Sequence, residues 1–192
     1  MKEVMKMNPL LVSNGNLEWT ETGRKNLENL SESFGCDILI LQPNRKLTKK
    51  ILRKSFEVAG ASSWYLDYLL YALPYRMAIK MGIKLLVYGE DINYTYGGTQ
   101  TEEKPSAILQ SENDVVKPIW DELFQDGTIS KKELGGITQP TKKEMEEAGL
   151  ESIYLSYFVP WNSHHNFQVA QKWGFRHLGH EHDREGTIDN YD

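Results

Sequence analysis

Short β-rich apolar runs alternate through the first half of this chain with segments whose apolar residues recur at helical spacing. The runs cover residues 9–13, 38–41 and 83–88, and helical patterns fill 20–34, 47–58 and 64–81 between them. Consecutive strands joined through helices pair in parallel with right-handed crossovers, so this alternation predicts an α/β fold built on a doubly wound parallel sheet. Local stops support the segmentation. Thr20 or Thr22 can cap the first helix and Gly35 ends it, while Gly60 and Gly82 close the next two. Pro74, inside the third helical pattern, predicts a kink or a join between two helices. Asn14-Gly15-Asn16 after the first run is a turn, without the glycine-rich loop that cradles phosphate.

After Gly98 the chain becomes polar and closely punctuated. Residues 114–124 read as a short helix, and Thr141 with Glu144 as a capping box for a helix ending at Gly149. Residues 153–158 are a further strand candidate, and Asn162 or Ser163 can cap a helix running to Gly174. The change in character divides the chain into 1–98, a nucleotide-binding α/β part, and 99–192, a mostly helical substrate or interface region.

At 192 residues the chain is long enough to bury a real core, and no run reaches the roughly 18 apolar residues of a membrane span. Residues 1–7 carry Lys2 and Lys6 but no apolar signal core, so the expected compartment is the cytoplasm. Cys36 is the only cysteine, which excludes an internal disulfide and any multi-cysteine zinc site and points to a buried structural thiol. A net charge of -5 argues against a general nucleic-acid binder and leaves small molecules or other proteins as partners.

The run over 83–88 stops abruptly at Gly89-Glu90-Asp91. Those acids therefore fall at the carboxyl end of a buried strand, where open α/β sheets bind ligands. Two readings are open: the pair holds a hydrated Mg²⁺ on nucleotide phosphates, or it belongs to an ordinary loop or helix start. Tyr96, Gly97 and Gly98 allow close backbone approach to a ligand, or simply form a turn. His164 and His165 can face the same crevice or form a solvated helix N-terminus. The tail group His177, His180, Glu181, His182 and Asp183 lacks a fixed third ligand, so no zinc is expected. Trp64, Tyr65, Tyr68, Tyr71 and Tyr75 recur at near-helical spacing, which means core or interface.

Several of these stretches, taken in order, resemble one family: Trp19 through Leu30, Pro74-Tyr75-Arg76-Met77-Ala78, Tyr88-Gly89-Glu90-Asp91 with Tyr96-Gly97-Gly98, and His182-Asp183-Arg184-Glu185-Gly186-Thr187. The likeness runs over nearly the whole chain. It is to the N-acetyl sugar amidotransferases of surface-polysaccharide (lipopolysaccharide, O-antigen) biosynthesis, PP-loop ATP pyrophosphatases with an adenine-nucleotide α-hydrolase fold. The resemblance implies an ATP- and Mg²⁺-dependent amidation. The acetamido oxygen of a nucleotide-linked N-acetyl sugar is adenylylated, pyrophosphate leaves, and ammonia displaces AMP to give an acetamidino group. It also implies a glutaminase partner and a cyclase-like ammonia-channel subunit. Gly89, Glu90 and Asp91 would then contact Mg²⁺–pyrophosphate, Val12, Ser13 and Asn14 would lie near the adenosine, and Tyr96, Gly97, Gly98, His164 and His165 are pocket candidates.

Departures from the family pattern shape the expectation. The family's Ser-Gly-Gly-Lys-Asp-Ser PP-loop would precede Met1, taking the first strand of the sheet with it, and the family continues beyond Asp192. Where the family often reads Cys-Trp-Tyr-Cys-Asp, Ser63 and Leu66 stand in place of the cysteines. The chain thus reads as the middle and C-terminal part of such an enzyme, whose PP-loop another chain would carry. The competing readings are a degenerate, non-catalytic binding or scaffold protein of the same pathway, and a generic nucleotide-binding α/β module. An exposed sheet edge would favour a homodimer or a complex.

Overall fold

The computed structural model describes residues 1–15, 20–89, 107, 118–134 and 137–177. The chain forms two compact units, Met1–Ile40 with Trp161–Asp192, and Leu41–Pro160. It is of mixed α/β class with short parallel strand pairs. The described strands pair two by two, the first with the second and the third with the fourth. The 98/99 boundary expected from composition falls outside the described residues.

In the first unit a short helix α1 (Lys2–Met5) precedes strand β1 (Leu11–Asn14), helix α2 (Glu21–Phe34) and strand β2 (Ile38–Leu41). β1 lies beside β2, and the Leu11 N–H donates to the Asp37 carbonyl at 2.9 Å. Thr20 is the N-cap of α2, its hydroxyl accepting from the Gly23 N–H at 2.9 Å, and Gly35 ends the helix at φ 57°. Cys36 is buried, as the apolar run beside it predicts.

Helix α7 (Ser163–Lys172), capped by Asn162 as expected, returns the distal part of the chain to α2. The side chain of Asn26 closes a two-bond ring with Arg176, donating to its carbonyl at 2.8 Å and accepting from its N–H at 2.9 Å. Asn29 donates to the Trp173 carbonyl, and the Phe34 and Trp173 rings meet at 4.7 Å between centroids. Gly174 adopts φ 90°, and a Cβ there would come within 2.9 Å of the Asn29 side chain. The residue that stops α7 is therefore also the one that lets α2 approach.

The second unit is built around two consecutive helices, α3 (Arg45–Ala59) and α4 (Trp64–Met81). Asn44 caps α3 through the N–H groups of Lys46 and Leu47, and Gly60 ends it in the left-handed region. α4 is buried around most of its circumference, including Trp64, Tyr65, Tyr68, Tyr71 and Tyr75, so these aromatics are core. Two of their hydroxyls find partners within the same unit: Tyr68 accepts from the Gln139 N–H at 2.7 Å, and Tyr75 donates to the Ala107 carbonyl at 2.7 Å.

Of the kink or join expected at Pro74, the join does not occur, because α4 is one helix from Trp64 to Met81. Proline removes the bond to the carbonyl four residues back, that of Leu70. The Tyr88 hydroxyl lies 3.5 Å from that oxygen and gives it a partner. Packing on all sides then keeps the helix continuous.

Strand β3 (Leu85–Tyr88) follows α4, then helix α5 (Trp120–Phe124), a 3-10 turn at Lys131–Leu134, helix α6 (Lys142–Glu147), strand β4 (Glu151–Tyr154) and a second 3-10 turn at Leu155–Tyr157. Two apolar clusters hold this unit. Ile51, Trp64, Tyr65, Tyr68, Leu69 and Leu123 pack in one, and Tyr71, Tyr75, Met145, Leu150 and Tyr154 in the other. Trp120 presents its edge to Trp64, Tyr65 and Tyr68 at centroid distances of 4.8, 6.1 and 5.2 Å.

The strand candidate over 153–158 is corrected: β4 begins at Glu151 and gives way to the 3-10 turn at Leu155. Its partner explains both ends. The Glu151 N–H donates to the Lys84 carbonyl at 2.7 Å, and the parallel register runs from Leu85–Glu151 to Tyr88–Tyr154. β3 stops before Gly89, so the ladder has nothing further to bond. Of the helix expected over 114–124, the described part is Trp120–Phe124. Among the described residues no helix is long and apolar enough to cross a membrane.

Thr141 and Glu144 form the expected capping box at the start of α6, with reciprocal bonds of 2.7 and 3.2 Å. The other Glu144 carboxylate oxygen accepts from Arg76 Nη1 at 2.8 Å, and Arg76 Nε also donates to the Thr138 carbonyl at 2.6 Å. The Thr141 N–H first, then Arg76 and the Thr141 hydroxyl, lower the Glu144 pKa from 4.5 to about 2. A depressed carboxyl pKa adds stability above the unfolded value that is lost as pH falls through the folded one. Glu144→Gln is therefore expected to destabilise the protein near neutral pH. Its stability difference from the native protein should close between pH 4.5 and about 2 in acid titrations followed by circular dichroism. A difference that stays constant down to pH 2 would remove this role.

Candidate functional site

Because β3 and β4 run parallel, their carboxyl ends lie at one edge, where Tyr88 stands level with Tyr154. Helix α4 backs this edge with two tyrosines. The Tyr88 ring lies 5.1 Å from Tyr71, 6.2 Å from Tyr75 and 6.0 Å from Tyr154. Burial pushes the Tyr88 phenol well above its ordinary pKa, and burial pushes that of Tyr75 up to about 12, so both are neutral hydrogen-bonding groups at physiological pH.

Ser152, in the middle of β4, links the edge to the chain beyond β3. Its hydroxyl is 2.8 Å from the Tyr75 hydroxyl, and its carbonyl accepts from the Ala107 N–H at 2.8 Å. Ala107 is fully buried and also accepts from Tyr75 through its carbonyl. Ala107 is thereby tied to both β4 and α4.

Gly89 is exposed immediately past β3, and an added Cβ would meet nothing within 4 Å, so ligand atoms have room beside the backbone. In the turn after β4, the Ser156 hydroxyl is buried and meets no hydrogen-bond partner among the described residues. A buried hydroxyl without a partner carries a desolvation cost that a ligand oxygen can offset. Glu90 and Asp91, next in sequence after Gly89, lie outside the described residues, as do Tyr96, Gly97 and Gly98.

Val12, Ser13 and Asn14 belong to β1 in the first unit. Val12 and Ser13 are half-buried and Asn14 is buried, with the Ser13 hydroxyl donating to the Asn14 carbonyl at 3.3 Å. His164 and His165 occupy the first turn of α7 in the same unit and are exposed. His165 donates its N–H to Asn162 at 2.8 Å, and a His164 ring nitrogen lies 3.0 Å from the Gln168 amide. Both histidines thus stand at the exposed start of this helix. The Asn162 side chain already takes the cap position that a bound anion would need.

Ser63, where the family pattern has a cysteine, donates to Asp67 at 2.7 Å, and burial raises the Asp67 carboxyl above the ordinary aspartate range. Of the tail group, His177 is described, its ring 6.0 Å from Phe167, and His180, Glu181, His182 and Asp183 lie outside the described residues. Among the described residues no three metal-ligating side chains come together.

Ser152 and Ser156 were not singled out by the sequence. Their one signal is two small hydroxyl residues, four positions apart, on the same face of an otherwise apolar run over 152–158. That pattern reads equally well as an edge strand facing water. No protein-family model matches this chain, and no curated protein matches it.

Proposed function

We propose that this chain is a component of an ATP-dependent amidotransferase acting on a nucleotide-linked N-acetyl sugar, with its nucleotide site at the carboxyl edge of the β3–β4 pair. The observation that carries the reading is the parallel pairing itself. It brings exposed Gly89, directly ahead of Glu90-Asp91 in sequence, to the same edge as the unpartnered Ser156 hydroxyl. Ligands of parallel α/β sheets bind outside the carboxyl ends of the strands. The donor set suits Mg²⁺-bound phosphate: two carboxylates for a hard cation that keeps several waters, and a hydroxyl to donate to a phosphate oxygen.

In this reading the wider fold is a doubly wound PP-loop sheet. When bound, ATP and Mg²⁺ supply the adenylyl group that makes the amide oxygen a leaving group. The chain's own residues orient the phosphates and the sugar. Glutaminase and channel subunits deliver ammonia, and the complex works in the cytoplasm. The second reading is a non-catalytic binding or scaffold protein of the same pathway.

Calorimetric titration of the chain with ATP and Mg²⁺ separates the two. Saturable binding is expected at millimolar nucleotide or below. Glu90→Ala and Asp91→Ala should each weaken it by about tenfold or more, the scale of a lost charge-assisted contact. Absence of any saturable heat with ATP, together with binding of a nucleotide-sugar, would establish the second reading instead.

A further inference from the structure

Helix α3 concentrates six cationic side chains, Arg45, Lys46, Lys49, Lys50, Arg53 and Lys54, in ten residues of a chain whose net charge is -5. Two of them are neutralised where α3 faces the segment after α5. Lys54 meets Asp126 at 2.6 Å and Glu57 at 3.7 Å, and Lys50 meets Glu133 at 3.4 Å. Arg45, Lys46, Lys49 and Arg53 are exposed and form no ion pair among the described residues. At about 100° per residue these four fall within an arc of about 100° on one side of the helix. Phe56, 61% exposed, lies on the same arc one turn beyond Arg53.

Folding does not account for this arrangement. Arg45 and Lys46 sit in the first turn, the positive end of the helix dipole, which contains no acidic residue. Arg45, Lys49 and Arg53 repeat like charges at i, i+4, a spacing that disfavours the helix. The opposite side of α3, with Thr48, Ile51 and Ser55, is buried in the unit, so the cationic side is presented by a helix already folded and fixed.

We infer that this face of α3 docks on an anionic lipid bilayer surface, an interaction separate from the nucleotide site. Charge complementarity selects an anionic partner, and Phe56 selects among anionic partners. A bilayer takes an aromatic ring below its headgroups while the neighbouring Arg and Lys heads stay at the phosphate level. A nucleic-acid backbone or an acidic peptide would satisfy the cations and leave that ring in water.

The test is co-sedimentation of the full chain with vesicles of phosphatidylcholine alone and of phosphatidylcholine with about one third phosphatidylserine. Each cation near an anionic surface strengthens binding about fivefold, so the four together should favour the anionic vesicles by roughly several hundredfold at low salt. The preference should shrink steeply as salt is raised toward about 0.5 M. Arg45→Glu, Lys49→Glu and Arg53→Glu combined should return binding to the level on neutral vesicles. Phe56→Ser should weaken it several-fold without removing the salt dependence. The glutamine versions of the three cationic changes, checked for an unchanged circular dichroism spectrum, repeat the measurement should the glutamates disturb the fold. Equal binding to both vesicle types, no binding to either, an undiminished preference in the triple variant, or tighter binding to an oligonucleotide or a polyglutamate peptide would each overturn the assignment.

Discussion

Trp64→Ala is expected to destabilise the second unit by about 3–5 kcal/mol, the range for truncating a large buried aromatic residue. Trp64 is 2% exposed, stacks on Tyr68 at 5.4 Å and meets the edge of Trp120 at 4.8 Å. It therefore ties α4 to α5, two elements that are distant in sequence. Backbone rearrangement cannot close the space, because Tyr68 and Leu69 beside it are themselves fully packed. Urea unfolding followed by fluorescence and circular dichroism measures the loss. A midpoint change worth less than about 1 kcal/mol would contradict the packing described.

Tyr75→Phe has the second-largest expected effect, about 1–3 kcal/mol, although it removes a single oxygen. That oxygen donates to the Ala107 carbonyl at 2.7 Å and lies 2.8 Å from the Ser152 hydroxyl, and all three groups are buried. Deleting the hydroxyl strands the other two in an apolar cluster. A double-mutant cycle with Ser152→Ala should recover part of the loss, since the second change removes one of the stranded groups. Strict additivity of the two changes would show that the pair is not coupled.

The ends of the helices were legible in the sequence. Thr20, Asn162 and the Thr141–Glu144 box cap the helices they were expected to cap, and Gly35, Gly60 and Gly82 end theirs with positive φ. Cap chemistry acts between residues three or four apart, so a single sequence contains all of it. The aromatic stripe of α4 was legible as core or interface, and its burial decided for core. Of the kink or join read at Pro74, the join followed from proline's local effect, a broken bond. Tyr88, from the following strand, approaches the carbonyl that this leaves free.

At the candidate site the balance differs. Gly89 could be placed at a strand end from the sequence, but Ser156 acquires meaning only because β4 ends level with β3. Asn26 and Asn29 bind the backbone of Arg176 and Trp173, which lie far along the chain and which no local pattern brings near. Val12, Ser13 and Asn14 belong to the first unit and Gly89 to the second.

What the sequence determined by itself is the α/β alternation, the limits of most helices and the burial of Cys36. All of these depend on side-chain periodicity or on bonds within one turn of chain. The tertiary structure decided which strands pair and how long they are. A strand's backbone groups are satisfied by a distant partner, as when Glu151 bonds Lys84, so its length is that of the shared ladder. It also decided which of the α3 cations remain unneutralised, since Asp126 and Glu133 reach Lys54 and Lys50 across the fold and leave the outer side of the helix to solvent.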